Sequence, residues 1–112
     1  MVSTITDRVN GAVSGVSVAA GAGIIVCSNV VGTNSITADT TPAISGYLNP
    51  SLYLIRPQNT NTGAVQVNLG QGGLVDLLSP SGAALVAGQF DPALEYIVRF
   101  NGVNMRIVSP SF

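Results

Sequence analysis

The chain contains no histidine, no lysine and no tryptophan, one cysteine, and few charges of either sign. Without histidine it lacks the usual proton shuttle and the commonest metal ligand. That excludes a Ser-His-Asp or Cys-His nucleophilic arrangement. Cys27, being alone, can close no internal disulfide and belongs to no CxxC or Cys/His metal spacing, so it reads as a small buried apolar residue. No acidic pair has a spacing suited to general acid–base work, and Asp76 and Asp91 can meet only through the fold. The expectation is therefore a protein that is not an enzyme and uses no cofactor or metal.

Charged residues make up 8 % of the 112 positions, where about a quarter is usual. All four basic residues are arginines: Arg8, Arg56, Arg99 and Arg106. A net charge of −1 provides no electrostatic footprint for nucleic acid or an anionic membrane. Basic residues interleaved with aromatics, as a nucleic-acid surface needs, are absent. The uncharged run at residues 11–27, GAVSGVSVAAGAGIIVC, is interrupted by Ser14, Gly15, Ser17, Gly21 and Gly23. It falls short of the roughly 20 strongly apolar residues of a spanning helix. It also lacks the positive flank and leucine-rich core of a signal peptide. Neither nucleic acid nor membrane is an expected partner. Scarcity of charge, and of lysine above all, is an interface signature, so other subunits are expected to cover much of this surface.

What the chain does contain is alternation and turns. Residues 94–108, LEYIVRFNGVNMRIV, set Asn101-Gly102 between two alternating runs, the strongest short hairpin signal. A two-residue turn there pairs Phe100 with Val103, Val98 with Met105 and Tyr96 with Ile107, all on one apolar face. It also makes Glu95 and Arg106 diagonal neighbours within salt-bridge reach. Upstream, residues 16–20, 24–27, 35–38, 51–56, 64–69, 74–78 and 83–87 read as further strands. Residues 64–69 (AVQVNL) place Val65, Val67 and Leu69 inward and Gln66 and Asn68 outward. Residues 51–56 (SLYLIR) oppose Leu52 and Leu54 to Tyr53 and Ile55, so both faces of that strand are expected to be covered. Gly70-Gln71-Gly72-Gly73 lacks the GK[ST] ending and following helix of a phosphate cradle and reads as a strand break.

Strands at roughly 8–12-residue spacing with turns between them indicate an all-β domain, a small antiparallel β-sandwich or barrel closed by a C-terminal hairpin. Residues 11–112 form this single domain, and residues 1–10 a polar N-terminal arm. Among the aromatics, Tyr53, Tyr96 and Phe100 fall in strands and read as core. Tyr47 and Phe90 fall in loops, where packing within the loop is the first expectation and stacking on a sugar or a partner protein the alternative.

In the second half of the chain, Asn61-Thr62-Gly63-Ala64-Val65 is followed by Val67-Asn68-Leu69, then by a Pro/Gly-containing piece at residues 80–88 and the hairpin at 96–107. This order resembles a module of tailed-bacteriophage tail-fibre and appendage proteins. The resemblance implies a virion structural protein, all-β and homotrimeric, whose partners are other capsid or tail proteins. Residues 1–112 show no long repetitive shaft, and no distal receptor-binding domain is expected. That favours an oligomeric knob, decorating or stabilising the capsid or anchoring a short appendage. On this reading Ile5, Asp7 and Arg8 of the arm contact the particle. The alternative is a tail-fibre-like receptor- or carbohydrate-binding module working through Tyr47 or Phe90.

Overall fold

The computed structural model describes residues 23–112. The expected arm with Ile5, Asp7 and Arg8, and the expected strand at residues 16–20, lie outside the described residues. Seven strands follow in order: β1 (Ile24–Val31), β2 (Ser35–Thr41), β3 (Ser51–Ile55), β4 (Val65–Leu69), β5 (Leu74–Leu78), β6 (Tyr96–Phe100) and β7 (Met105–Ser109). They close into a barrel in the spatial order β1-β2-β4-β5-β7-β6-β3. Closure removes the unpaired edges that make open sheets prone to association.

The barrel is all-β as expected, but it is not wholly antiparallel. The pairs β1·β3, β2·β4 and β5·β7 run parallel. Each of these joins strands separated in sequence by another strand or a long connection, which local alternation does not encode. Inside, period-2 alternation holds closely. Val65, Val67 and Leu69 of β4 are buried, as are Tyr53 and Ile55 of β3, Tyr96 and Val98 of β6, and Met105 and Ile107 of β7. Ile36 and Ala38 of β2 and Leu77 of β5 join them, and Leu85 and Phe90 fill the same core from outside the strands. On β1, the inward Ile25, Cys27 and Val30 are only partly covered.

β1 carries one extra residue against β2: Ser28 pairs with Asp39 and Val31 with Thr37. The bulge holds Asn29 at φ 50°, a left-handed conformation that asparagine tolerates better than most residues. Its Nδ2 donates to Asp39 Oδ2 at 2.8 Å.

The β6–β7 hairpin exists, with a register different from the expected one. Phe100 pairs with Met105, Arg99 with Arg106 and Val98 with Ile107. Asn101 lies just before the turn rather than inside it. Its Oδ1 accepts the main-chain N–H groups of Val103 (3.0 Å) and Asn104 (2.9 Å). Gly102, at φ 99°, takes the first central position, the one that type II′ turns reserve for glycine. The side-chain capture by Asn101 moves the turn centre one residue onward, and the pairing shifts by two. Two is the strand period, so the core face survives. Only Val103 is lost from it, at 76 % exposure. The expected Glu95–Arg106 pair does not form; Glu95 Oε1 lies 3.9 Å from Arg56 Nη2, and both side chains are half exposed.

Residues 83–87 are not a strand. One bridge, Leu78 to Ala84, is all the pairing there. Asn61 organises the stretch instead: its Nδ2 donates to Val86 O (2.9 Å) and Gly63 O (2.7 Å). Its Oδ1 accepts Phe90 N–H (2.9 Å), and its carbonyl accepts Gly88 N–H (3.0 Å). Residues 42–46, where one helical turn is conceivable from sequence, form bends, and no helix occurs among the described residues.

Candidate interaction surface

The two loop aromatics singled out in the sequence are both engaged within the fold. Phe90 is fully buried, its ring 4.7 Å from that of Tyr96, so it offers no face to a ligand. Tyr47 is half-buried. Its ring packs 5.0 Å from Phe100 and edge-on to Tyr53 at 6.0 Å. Its hydroxyl donates to Gly73 O (2.6 Å) and accepts Leu69 N–H (2.9 Å). Tyr47 thus bolts the loop between β2 and β3 to the β4–β5 turn. Gly72 of that turn is explained here: a Cβ on it would sit 2.1 Å from the Tyr47 ring. The Gly70–Gly73 stretch is a strand break, as the sequence suggests, and also the seat of an aromatic side chain.

The recess beside this loop has a volume of about 270 Å³ and is lined by Ile25, Ile44, Leu48, Ser51 and Tyr53, among others. Its polar groups already bond each other. Ser51 Oγ donates to Leu48 O (2.6 Å) and lies 2.8 Å from the Tyr53 hydroxyl. It falls below the usual range of ligand pockets, about 300–1,000 Å³, and has no convergent charge. Asp76 Oδ1 accepts from Gln66 (3.1 Å) and Asp91 Oδ1 from Ala93 N–H (2.9 Å), so each acid serves its own loop or strand. Among the described residues no group of three or more potential ligands is placed to hold a metal. No helix among them is long and apolar enough to cross a membrane.

The feature that stands out is on the outside of the barrel. Strands β1, β3 and β6 are neighbours, with Ile24 beside Leu52, Val26 beside Leu54, and Leu54 beside Ile97. These side chains alternate with the buried Tyr53, Ile55, Tyr96 and Val98, so they point away from the core. Val108 extends the apolar surface on β7, where the register with β6 shifts. Ile24, Val26 and Val108 are 41 %, 46 % and 51 % exposed, whereas Leu52, Leu54 and Ile97 are partly covered. A half-solvated strand ordinarily carries polar residues outward; here Ile24, Val26, Leu52, Leu54 and Ile97 take those places, with Arg99 the polar exception beside Leu52. Arg99 and Arg106, facing each other across β6 and β7, stand at its border.

The apolar outer side of β3 was visible in SLYLI, but its continuation onto β1 and β6 depends on pairings that sequence periodicity does not reveal. Asn61 is the other residue whose importance sequence reasoning missed. It stands in the Asn-Thr-Gly turn as an ordinary turn former, yet it is 1 % exposed. No family model matches the chain, and no curated protein matches it in sequence.

Proposed function

We propose that this protein is a non-enzymatic structural subunit of a tailed-phage virion, assembling as a homotrimer through the outer face of β1, β3 and β6. The observation that carries the assembly reading is Leu52 and Leu54: β3 is apolar on both sides, with the core taking one side only. Contacts between copies would remove the other from water, a gain of roughly 25 cal/mol per Å² before association costs. The scarcity of charge suits the same end, because little desolvation of ions opposes contact. The virion setting rests on the likeness of residues 61–69, 80–88 and 96–107 to tail-fibre modules. On that reading Ile5, Asp7 and Arg8 reach other capsid or tail proteins, and the barrel forms a knob. The receptor- or carbohydrate-binding alternative loses support from the burial of Phe90 and from the engagement of the Tyr47 hydroxyl with Gly73 and Leu69.

Sedimentation velocity on the purified chain tests the assembly. The expected species at micromolar concentration is about 34 kDa, three chains of 11.4 kDa. Leu52→Asp with Leu54→Asp should give a folded monomer. A wild-type monomer at that concentration, or a trimer indifferent to these changes, would overturn the reading.

A further inference from the structure

We propose that Arg99 and Arg106 form a seat for a doubly charged oxyanion, a phosphate or sulfate group. The two are direct cross-strand partners on β6 and β7, which puts their Cβ atoms about 4.5–5.5 Å apart. Like charges set directly opposite each other destabilise a strand pair. Yet a chain with only four basic residues places two of them there. Among the described residues nothing offsets this repulsion. The acid on the outer face of the adjoining β5, Asp76, accepts from Gln66 instead. The acid just before β6, Glu95, faces Arg56.

Geometry supplies the rest. Arg99, Arg106, Asn101 and Val108 line one recess of about 140 Å³. That is room enough for one tetrahedral oxyanion. Arg106 is held from behind: a Cβ on Gly82 would lie 2.5 Å from its Nη2, so glycine lets the guanidinium pack against the turn at residues 79–83. The Asn101 side chain is fixed by its bonds to the hairpin turn and to Asn104 Oδ1 (3.0 Å). Two planar forks on adjacent strands suit an ion with several oxygens, and two positive charges match a dianion better than a single carboxylate. Both arginines belong to one barrel, but Arg99 lies beside Leu52 on the outer face of β6, so the seat requires the proposed contact between copies to leave this corner open.

The test follows the Arg Nε–Hε signals of the full-length chain, in its native oligomeric state at pH 7.5 and fixed ionic strength. Sodium phosphate, sulfate or acetate is added. Saturable shifts are expected at Arg99 and Arg106 with phosphate and sulfate, and none at Arg56. Binding should weaken at least tenfold in R99Q and in R106Q, and less in R106K, which keeps the charge without the fork. Thermal melts give a second readout: phosphate should raise the wild-type Tm, while R99Q, relieved of the repulsion, should melt higher than wild type without phosphate and gain nothing from it. Non-saturating shifts, an equal response at Arg56, or acetate binding as tightly as phosphate would overturn the proposal.

Discussion

Asn61 and Phe90 are joined by two hydrogen bonds: Asn61 Oδ1 accepts the Phe90 N–H at 2.9 Å, and Asn61 N–H donates to the Phe90 carbonyl at 3.2 Å. The pairing imitates one rung of a sheet ladder with a side chain as half of it. It lets a segment without strand pairing enter the core and deliver the Phe90 ring against Tyr96. Asn61→Ala removes the side-chain half and strands a buried N–H and two carbonyls, each costing about 1–3 kcal/mol when water cannot reach it. A total loss of about 3 kcal/mol is expected from urea unfolding. Asn61→Asp keeps the acceptor and loses the donor, so Phe90 N–H stays paired while Val86 O and Gly63 O do not. A cost below about 1 kcal/mol for Asn61→Ala would show that the segment holds itself.

Tyr47 and Gly72 make a second, testable dependency. A methyl group at position 72 would overlap the Tyr47 ring, so Gly72→Ala is expected to cost about 1–3 kcal/mol by overpacking. Tyr47→Phe keeps the ring and strips the hydroxyl from Leu69 N–H and Gly73 O, at about 1–2 kcal/mol. The decisive measurement is the double-mutant cycle. In a Tyr47→Ala background the ring is gone, and Gly72→Ala should then cost almost nothing. An undiminished cost there would trace the role of Gly72 to its own backbone.

These two relationships mark where sequence reasoning stops. Alternation in VQVNL, SLYLI and YIVRF identified β4, β3 and β6 and their inward residues, because a buried face imposes its period on neighbouring positions. The hairpin was legible as an element and off in register, because Asn101 has two uses: as a turn residue at φ > 0, or as a side-chain acceptor one place earlier. Only competition within the folded loop decides between them. The parallel pairings, and with them the outer apolar face, bring together residues far apart in sequence. Loop position alone left Tyr47 and Phe90 open between loop packing and a ligand contact, and the sequence offered no partner for either ring. In both cases hydrogen bonds to distant residues, Gly73 and Asn61, draw the loop inward.

Stability should be flat with pH near neutrality and fall in alkali. No histidine is present to titrate between pH 5 and 8. Burial pushes the Cys27 thiol up from 9.0 to about 12. Burial, as the leading cause, also raises the Tyr47, Tyr53 and Tyr96 phenols above 10.0. An acid whose folded pKa is raised binds its proton more tightly when folded, so the stability it supports is complete below the unfolded value. It is lost as pH climbs from about 9 toward 12. Urea midpoints measured from pH 6 to 11 should hold level to about pH 8.5 and then decline, with Cys27→Ala removing the earliest part of the decline. At pH 8 the folded thiol should react with a disulfide reagent far more slowly than the unfolded one. A midpoint that rises between pH 8 and 10 would contradict the shifts.

Thr40, the penultimate residue of β2, offers a substitution expected to stabilise. Its Oγ1 is buried without a hydrogen-bond partner among the described residues, and a Cβ on Gly70 would come within 2.8 Å of it. A hydroxyl that gives up water and gains nothing carries a desolvation cost of about 1–3 kcal/mol. Thr40→Val keeps the branched shape that suits a strand and removes the polar atom. The expected result is a gain of up to about 1 kcal/mol, seen as a Tm increase of roughly 4–8 °C for a domain of this size. Thr40→Ser, which keeps the hydroxyl and loses the methyl, should go the other way. If Thr40→Val instead destabilised the protein, the hydroxyl would have a partner other than residues 23–112 of the same barrel, a bound water included. The same pair of variants assayed by sedimentation would then tell whether that partner belongs to another copy, since only an inter-chain bond would change the assembly state.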